Sequence, residues 1–193
     1  MKKLIISGVC LMGFVFMLSS CTFHLTNSVA KDLNPSNLYP MYETKIIDLK
    51  SQSKCLSPPV VKLINTETRN EDLLVLKEGI GHTYYIKPKE LTNHIVHYMG
   101  DALAKCQVKV DANSTKVIEV SIDKAEMMVS GGFSARGAVI QLKINIPEKQ
   151  YSNIYSAEEW SAQAVWTTMA YAIHLAIWKF IDDPVIQNYI LCK

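Results

Sequence analysis

The clearest alternation in the chain runs from Ala138 to Ile146. Ala138, Ile140, Leu142, Ile144 and Ile146 take one parity, and Val139, Gln141, Lys143 and Asn145 take the other. A period of two with one mostly polar parity predicts a strand with one face on a core and one toward water. Pro147 ends it, and Tyr151 to Glu159 predicts the next strand. On the other side, Val117 to Val129 alternates well enough for a long strand, and Ser130-Gly131-Gly132 signals the turn between. Upstream, Pro59 to Ile64 reads as a short strand. Asn65 to Gly81 reads as loop with a short strand near Leu73 to Leu76, and Tyr84 to Ile86 as another strand piece. Pro88 suits the first position of a helix, where its missing N–H costs nothing. Leu91, Ile95, Tyr98, Met99 and Ala102 then recur at helical spacing. A second long helix is expected from Ser161, as N-cap, to Ile181; Asp182-Asp183-Pro184 breaks it and opens a last short helix. The order β-α-β-β-β-α over residues 58–193 predicts an α+β two-layer sandwich: a small mixed or antiparallel sheet with two main helices on one face.

The second long helix has more apolar surface than a sheet can cover. Trp166, Met169, Ala170, Ile173, Ile177 and Phe180 share one face; Tyr171, Leu175 and Trp178 lie on the other, with Ala164 and Thr168. A helix apolar on two sides needs a second partner. Either the segment preceding the domain or the short last helix (Ile186, Tyr189, Ile190) folds over it, or Tyr171, Leu175 and Trp178 form an exposed patch. Such a patch would serve homodimerisation or docking to an envelope protein. Gln163, Thr167, Thr168 and His174 argue against a lipid-embedded role.

A different pattern opens the chain. Met1-Lys2-Lys3 precedes a run from Leu4 to Leu18 without a charged side chain, followed by Leu18-Ser19-Ser20-Cys21. The run has about 15 residues, short of the ~20 that cross a bilayer core, so residues 1–20 read as a cleaved export signal. Leu18-Ser19-Ser20-Cys21 resembles the lipobox of bacterial lipoproteins. The resemblance implies cleavage before Cys21, a diacylglycerol on its sulfur and an acyl chain on its new amino group. Two or three chains hold a membrane firmly where one does not. Thr22 in place of Asp implies, by the sorting rule of that class, the periplasmic face of the outer membrane rather than the inner membrane. Residues 21–57, rich in Asn, Ser, Thr and Pro, read as the lipidated Cys and a flexible tether with an r.m.s. span of roughly 30 Å.

Charge and cysteine content change meaning once the signal is removed. The 193 residues carry 20 Lys+Arg and 18 Asp+Glu; without Lys2 and Lys3 both counts are 18. Net neutrality gives no reason to expect a nucleic-acid partner. Of five cysteines, Cys10 leaves with the signal and Cys21 is the lipid site, leaving Cys55, Cys106 and Cys192 in an oxidising compartment. In a β-α-β crossover the two strand starts lie at one end of the sheet. Cys55 precedes the first strand and Cys106 the next, so Cys55–Cys106 is the candidate disulfide, with Cys55–Cys192 second.

The stretches "NTETRNEDLLVLKEGI", "ELTNHIVHYMGDALAKCQVKV", "FSARGAVIQLKINI" and "WTTMAYAIHLAIWKFIDDPVIQNYI", together with the lipobox and the element order, resemble the YajG-like group of Gram-negative outer-membrane lipoproteins. Cys106 departs from that pattern, which expects a glycine in the helix–strand turn. The resemblance implies location and fold rather than an activity. Transport-auxiliary lipoproteins and the lipopolysaccharide-assembly lipoprotein share the broad architecture, and that implies an alternative role: an auxiliary of transport, secretion or lipid trafficking that binds an apolar ligand.

Catalytic patterns are weak. His94-x-x-His97 has metal-ligand spacing without a third ligand beside it. Ser130-Gly131-Gly132-Phe133-Ser134 is a turn and lacks the nucleophile-elbow context. Glu158 and Glu159 are strand neighbours that point to opposite faces, unlike the facing carboxyls of glycan hydrolysis. The expectation is a non-enzymatic module without a cofactor or metal beyond its covalent lipid, held to the membrane by that anchor.

Overall fold

A computed structural model describes residues 21–33, 59–78, 82–130 and 135–191. The predicted β-α-β-β-β-α frame is present as β2 (Val60–Asn65), α2 (Pro88–Lys105), β6 (Val117–Val129), β7 (Arg136–Ile146), β8 (Tyr151–Ser161) and α3 (Val165–Ile181). Strands β3 (Leu73–Glu78), β4 (His82–Ile86) and β5 (Lys109–Val110) lie between β2 and β6, and helix α4 (Pro184–Ile190) closes the described chain.

The main sheet has the order β5-β2-β6-β7-β8. β2 runs parallel to both β5 and β6, whereas β6, β7 and β8 form an antiparallel meander. Parallel neighbours need a crossover, and α2 supplies it. The apolar parity behaves as its pattern demands: Ala138, Ile140, Leu142, Ile144 and Ile146 are all fully buried under the helices. Leu91, Ile95, Tyr98, Met99 and Ala102 of α2 bury the opposing stripe. The fold is an α+β sandwich, as the pattern predicts.

One irregularity is built around an ion pair between buried Glu67 and exposed Arg69. Between Ile122 and Lys124 the β6–β7 register slips by a bulge, which leaves backbone groups to be satisfied elsewhere. Glu67, buried, accepts from the Ile122 N–H at 3.3 Å, and the Arg69 guanidinium donates to the Ile122 carbonyl. The two side chains pair with each other at 2.6 and 2.8 Å. The Arg69 hydrogen bond holds the Glu67 carboxyl below its usual range against the opposing effect of burial. The segment read as plain loop after β2 is therefore a fixed clamp on the sheet.

Three expectations are corrected. Residues 21–33 are not tether: Cys21–His24 form β1, paired in parallel with β4, and Thr26–Asp32 form α1. β1, β4 and β3 make a separate three-stranded sheet. Leu25, Val29 and Leu33 belong to the core, and Thr167 of α3 donates to Asp32 at 2.6 Å. The expected tether beyond Leu33 lies outside the described residues, as does the signal segment. Second, α3 starts at Val165 with Ala164 as N-cap, not at Ser161. Ser161 ends β8, and its hydroxyl bonds the Thr168 hydroxyl at 2.8 Å. Third, the helix–strand turn places Gln107, not Cys106, in the left-handed conformation at φ 60°, so the residue standing where glycine is favoured is Gln107.

Candidate functional site

α1 packs against α3, with Thr167 bonded to Asp32, in line with the alternative in which the preceding segment folds onto this helix. Trp178 is 2% exposed, while Tyr171 and Leu175 are half-buried. They do not form an exposed patch. Beneath them lies a polar contact that pattern alone does not disclose. The Trp178 indole N–H donates to His174 Nε2 at 3.0 Å, and Tyr98 Oη of α2 lies 2.5 Å from Nδ1. Indole is only a donor, so Nε2 carries the lone pair and the neutral ring's proton sits on Nδ1, facing Tyr98. Burial, with a smaller effect of the Lys105 charge, pulls His174 down to about 4. His174 is a neutral cross-brace between the two long helices.

The described cavity lies beside α4, which follows α3. It is an open groove of about 600 Å³ lined by Lys116, Glu148, Lys149, Tyr151, Val185, Asn188 and Tyr189. These residues come from the turn before β6, the 3-10 turn Pro147–Lys149, the start of β8 and α4. The wall is cross-linked. Lys116 Nζ donates to the Tyr189 carbonyl at 2.8 Å and stands 5.6 Å above the Tyr189 ring. Burial lowers the Lys116 pKa. Tyr189 donates to Glu148 at 3.1 Å, and burial with that carboxylate pushes its hydroxyl up to about 12. Asp183 accepts from Tyr151 and Tyr155, each at 2.8 Å, while its other oxygen caps α4 through the Val185 N–H at 2.7 Å. Burial would raise the Asp183 pKa, but those hydroxyls and backbone donors outweigh it and hold the carboxylate below its ordinary value. The groove is thus walled by aromatic and charged side chains that hydrogen-bond to one another and to backbone carbonyls. The sequence signal for it was the Asp182-Asp183-Pro184 break; its partners Lys116 and Glu148 are distant in sequence.

The remaining candidates separate. Cys21 is an exposed free thiol at the first position of β1, opposite His82. Phe23, two residues on, stacks on Tyr84 with centroids 5.0 Å apart. Cys106 is a free, buried thiol, pushed up to about 12 by burial and then by the Asp182 carboxylate. Because Cys106 is free, the expected Cys55–Cys106 disulfide is not formed; Cys55 and Cys192 lie outside the described residues, and with them the second expected pairing. His94 and His97 are both exposed, and no group of three or more His, Cys, Asp or Glu that would hold a metal occurs among the described residues. Glu158 and Glu159 occupy opposite faces of β8, with Glu158 accepting from the Trp160 indole at 2.6 Å. No described helix is long and apolar enough to cross a membrane.

No family model matches the chain, and no curated protein does. Among solved structures it is similar to protein XCC0632 from Xanthomonas campestris, assigned to the family DUF330. The two share 15% identity over 71% of this chain and 86% of that one, with a TM-score of 0.45.

Proposed function

We propose that this chain is a lipid-anchored, non-catalytic envelope protein that presents a rigid α+β domain to a protein partner on the periplasmic face of the outer membrane. The observation that carries this reading is Cys21. It follows a charge-free run of signal-peptide length, is exposed, and begins β1 directly. The resemblance of its surroundings to YajG-like lipoproteins supports the same reading.

With acyl chains on Cys21, the folding of residues 21–33 into the domain matters. The lipid would join a strand of the fold itself, so the domain stands on the membrane at a fixed attitude instead of swinging on ~30 Å of chain. The groove formed by Lys116, Glu148, Tyr151 and Tyr189 is the candidate partner site. An apolar ligand, the alternative role, would need space between sheet and helices. That space is filled by Ile140, Leu142, Met169, Ile173, Ile177 and Phe180, all at zero exposure.

Replacing Cys21 by Ser tests the anchor. The wild-type chain should partition into the detergent phase and gain mass corresponding to its acyl chains. Cys21→Ser should remain an unprocessed, non-acylated precursor. Equal acylation of the two chains would refute the proposal.

A further inference from the structure

The two edges of the main sheet differ sharply. β5 has two residues, whereas β8 has eleven and pairs with β7 along its whole length without a register shift. Long regular edges template further pairing, and proteins guard them with Pro, Lys, bulges or brevity. The β8 sequence YSNIYSAEEWS contains neither Pro nor Lys. Its free side is identifiable. Lys179 Nζ reaches the Ser156 carbonyl at 2.7 Å, and the Ile154 N–H is taken by the Asn153 side chain at 2.9 Å. In an antiparallel strand the N–H and C=O of one residue point the same way, so the even-numbered residues turn their backbone to the open edge. Their side chains share the outer sheet face, where Ile154 is 46% and Trp160 43% exposed.

We propose that β8 is a homodimer edge, pairing antiparallel with β8 of a second copy about a two-fold axis at Ala157. The register follows from the exposed residues. Edge-facing residues must pair with edge-facing residues, which restricts a self-pairing to axes on β8 positions. An axis at Glu158 sets Glu158 against itself, and like charges directly opposed are destabilising. An axis at Ala157 sets Ile154 beside Trp160 of the second copy, and Trp160 beside Ile154 of that copy. Ser156 then faces Glu158. The two large exposed apolar side chains of the strand are covered twice over, an apolar–aromatic cross-strand pairing. On the helix side, Glu159 of the second copy falls opposite Tyr155, next to the Lys179 ammonium that leans over the edge at Ser156. The Ser156 carbonyl has two lone pairs and can accept from both Lys179 and the incoming N–H; Asn153 must release the Ile154 N–H. The interface is isologous, and the joined sheets form one ten-stranded layer.

The test is sedimentation of the purified full-length chain in detergent, with Ser156→Pro beside it. Proline at an edge-facing position removes only a donor that β7 does not use, so the fold should persist with its circular dichroism unchanged. The wild type should sediment as a dimer and Ser156→Pro as a monomer. A mixture of Ser156→Cys and Glu158→Cys chains should form a mixed 156–158 disulfide, identified by mass spectrometry, in preference to 156–156. A monomeric wild type overturns the proposal, whether the edge is covered by residues 34–58 or by another protein. A dimer that survives Ser156→Pro, or a 156–156 bond as the main product, overturns it as well. If Ser156→Pro unfolds, the disulfide pattern alone decides.

Discussion

Acidification should loosen the α2–α3 interface through one residue, His174. In the folded chain its pKa is about 4, against an ordinary 6.5. Between those values the unfolded chain binds a proton that the folded chain refuses, so stability rises with pH. The stability that neutral His174 contributes is fully present above about pH 7, is lost as pH falls through 6.5, and levels off below about 4. Linkage over that interval gives a loss of about 2.5 kcal/mol between neutrality and pH 4.5. The lowered carboxylates Glu67 and Asp183 act the same way, but mainly below their unfolded values of 4.5 and 3.8, so most of the change from pH 6.5 to 4.5 belongs to the imidazole. Urea titrations followed by circular dichroism at pH 7.0 and 4.5 would read the difference. His174→Gln is the control, since its amide oxygen can still accept from Trp178 while nothing titrates. The variant should be less stable at pH 7 but should lose much less than the wild type on acidification. A wild type equally stable at both pH values, or a variant with the same acid loss, would refute the reasoning.

Two further predictions concern packing. Val29→Asp places a carboxylate among fully buried apolar neighbours of α1; hydrogen exchange should accelerate across residues 25–33 and on the Tyr171–Trp178 side of α3. Unchanged exchange would mean that this segment is tether after all. At Gly137, an added Cβ would meet the Trp160 ring at 2.8 Å. Because that ring lies on the open face, Gly137→Ala should lift it at a cost of about 1 kcal/mol or less and shift the Trp160 fluorescence measured in a Trp166→Phe, Trp178→Phe background. A loss of several kcal/mol, or an unmoved spectrum, would place Trp160 elsewhere.

How much was legible beforehand differs between kinds of feature. Ala138 to Ile146 and Leu91 to Ala102 announced their elements because each residue's need, one face dry and one wet, repeats within a few positions. The Asp182-Asp183-Pro184 break was equally local, and Asp183 caps α4 as such a residue should. Strand β1 was not legible. Thr22, Phe23 and His24 carry no alternation, and its partner β4 begins at His82; the pairing exists only because the fold brings them together. The α3 surplus shows the boundary most clearly. The sequence left open whether Tyr171, Leu175 and Trp178 were covered or exposed; in the fold α1 packs on α3 and Trp178 is buried.

Local patterning therefore set the order of the main elements and the face that each long element buries. These rest on local periodicity and on chemistry confined to a short window. Only the tertiary structure decided which segment packs on α3, that His174 is a neutral brace between Tyr98 and Trp178, and that Glu67 and Arg69 clamp a bulge in β6. It also decided that β8, among the described residues, ends the main sheet as its long edge. A residue's pattern states what environment it requires; which distant segment provides that environment is settled by packing and register across the whole fold.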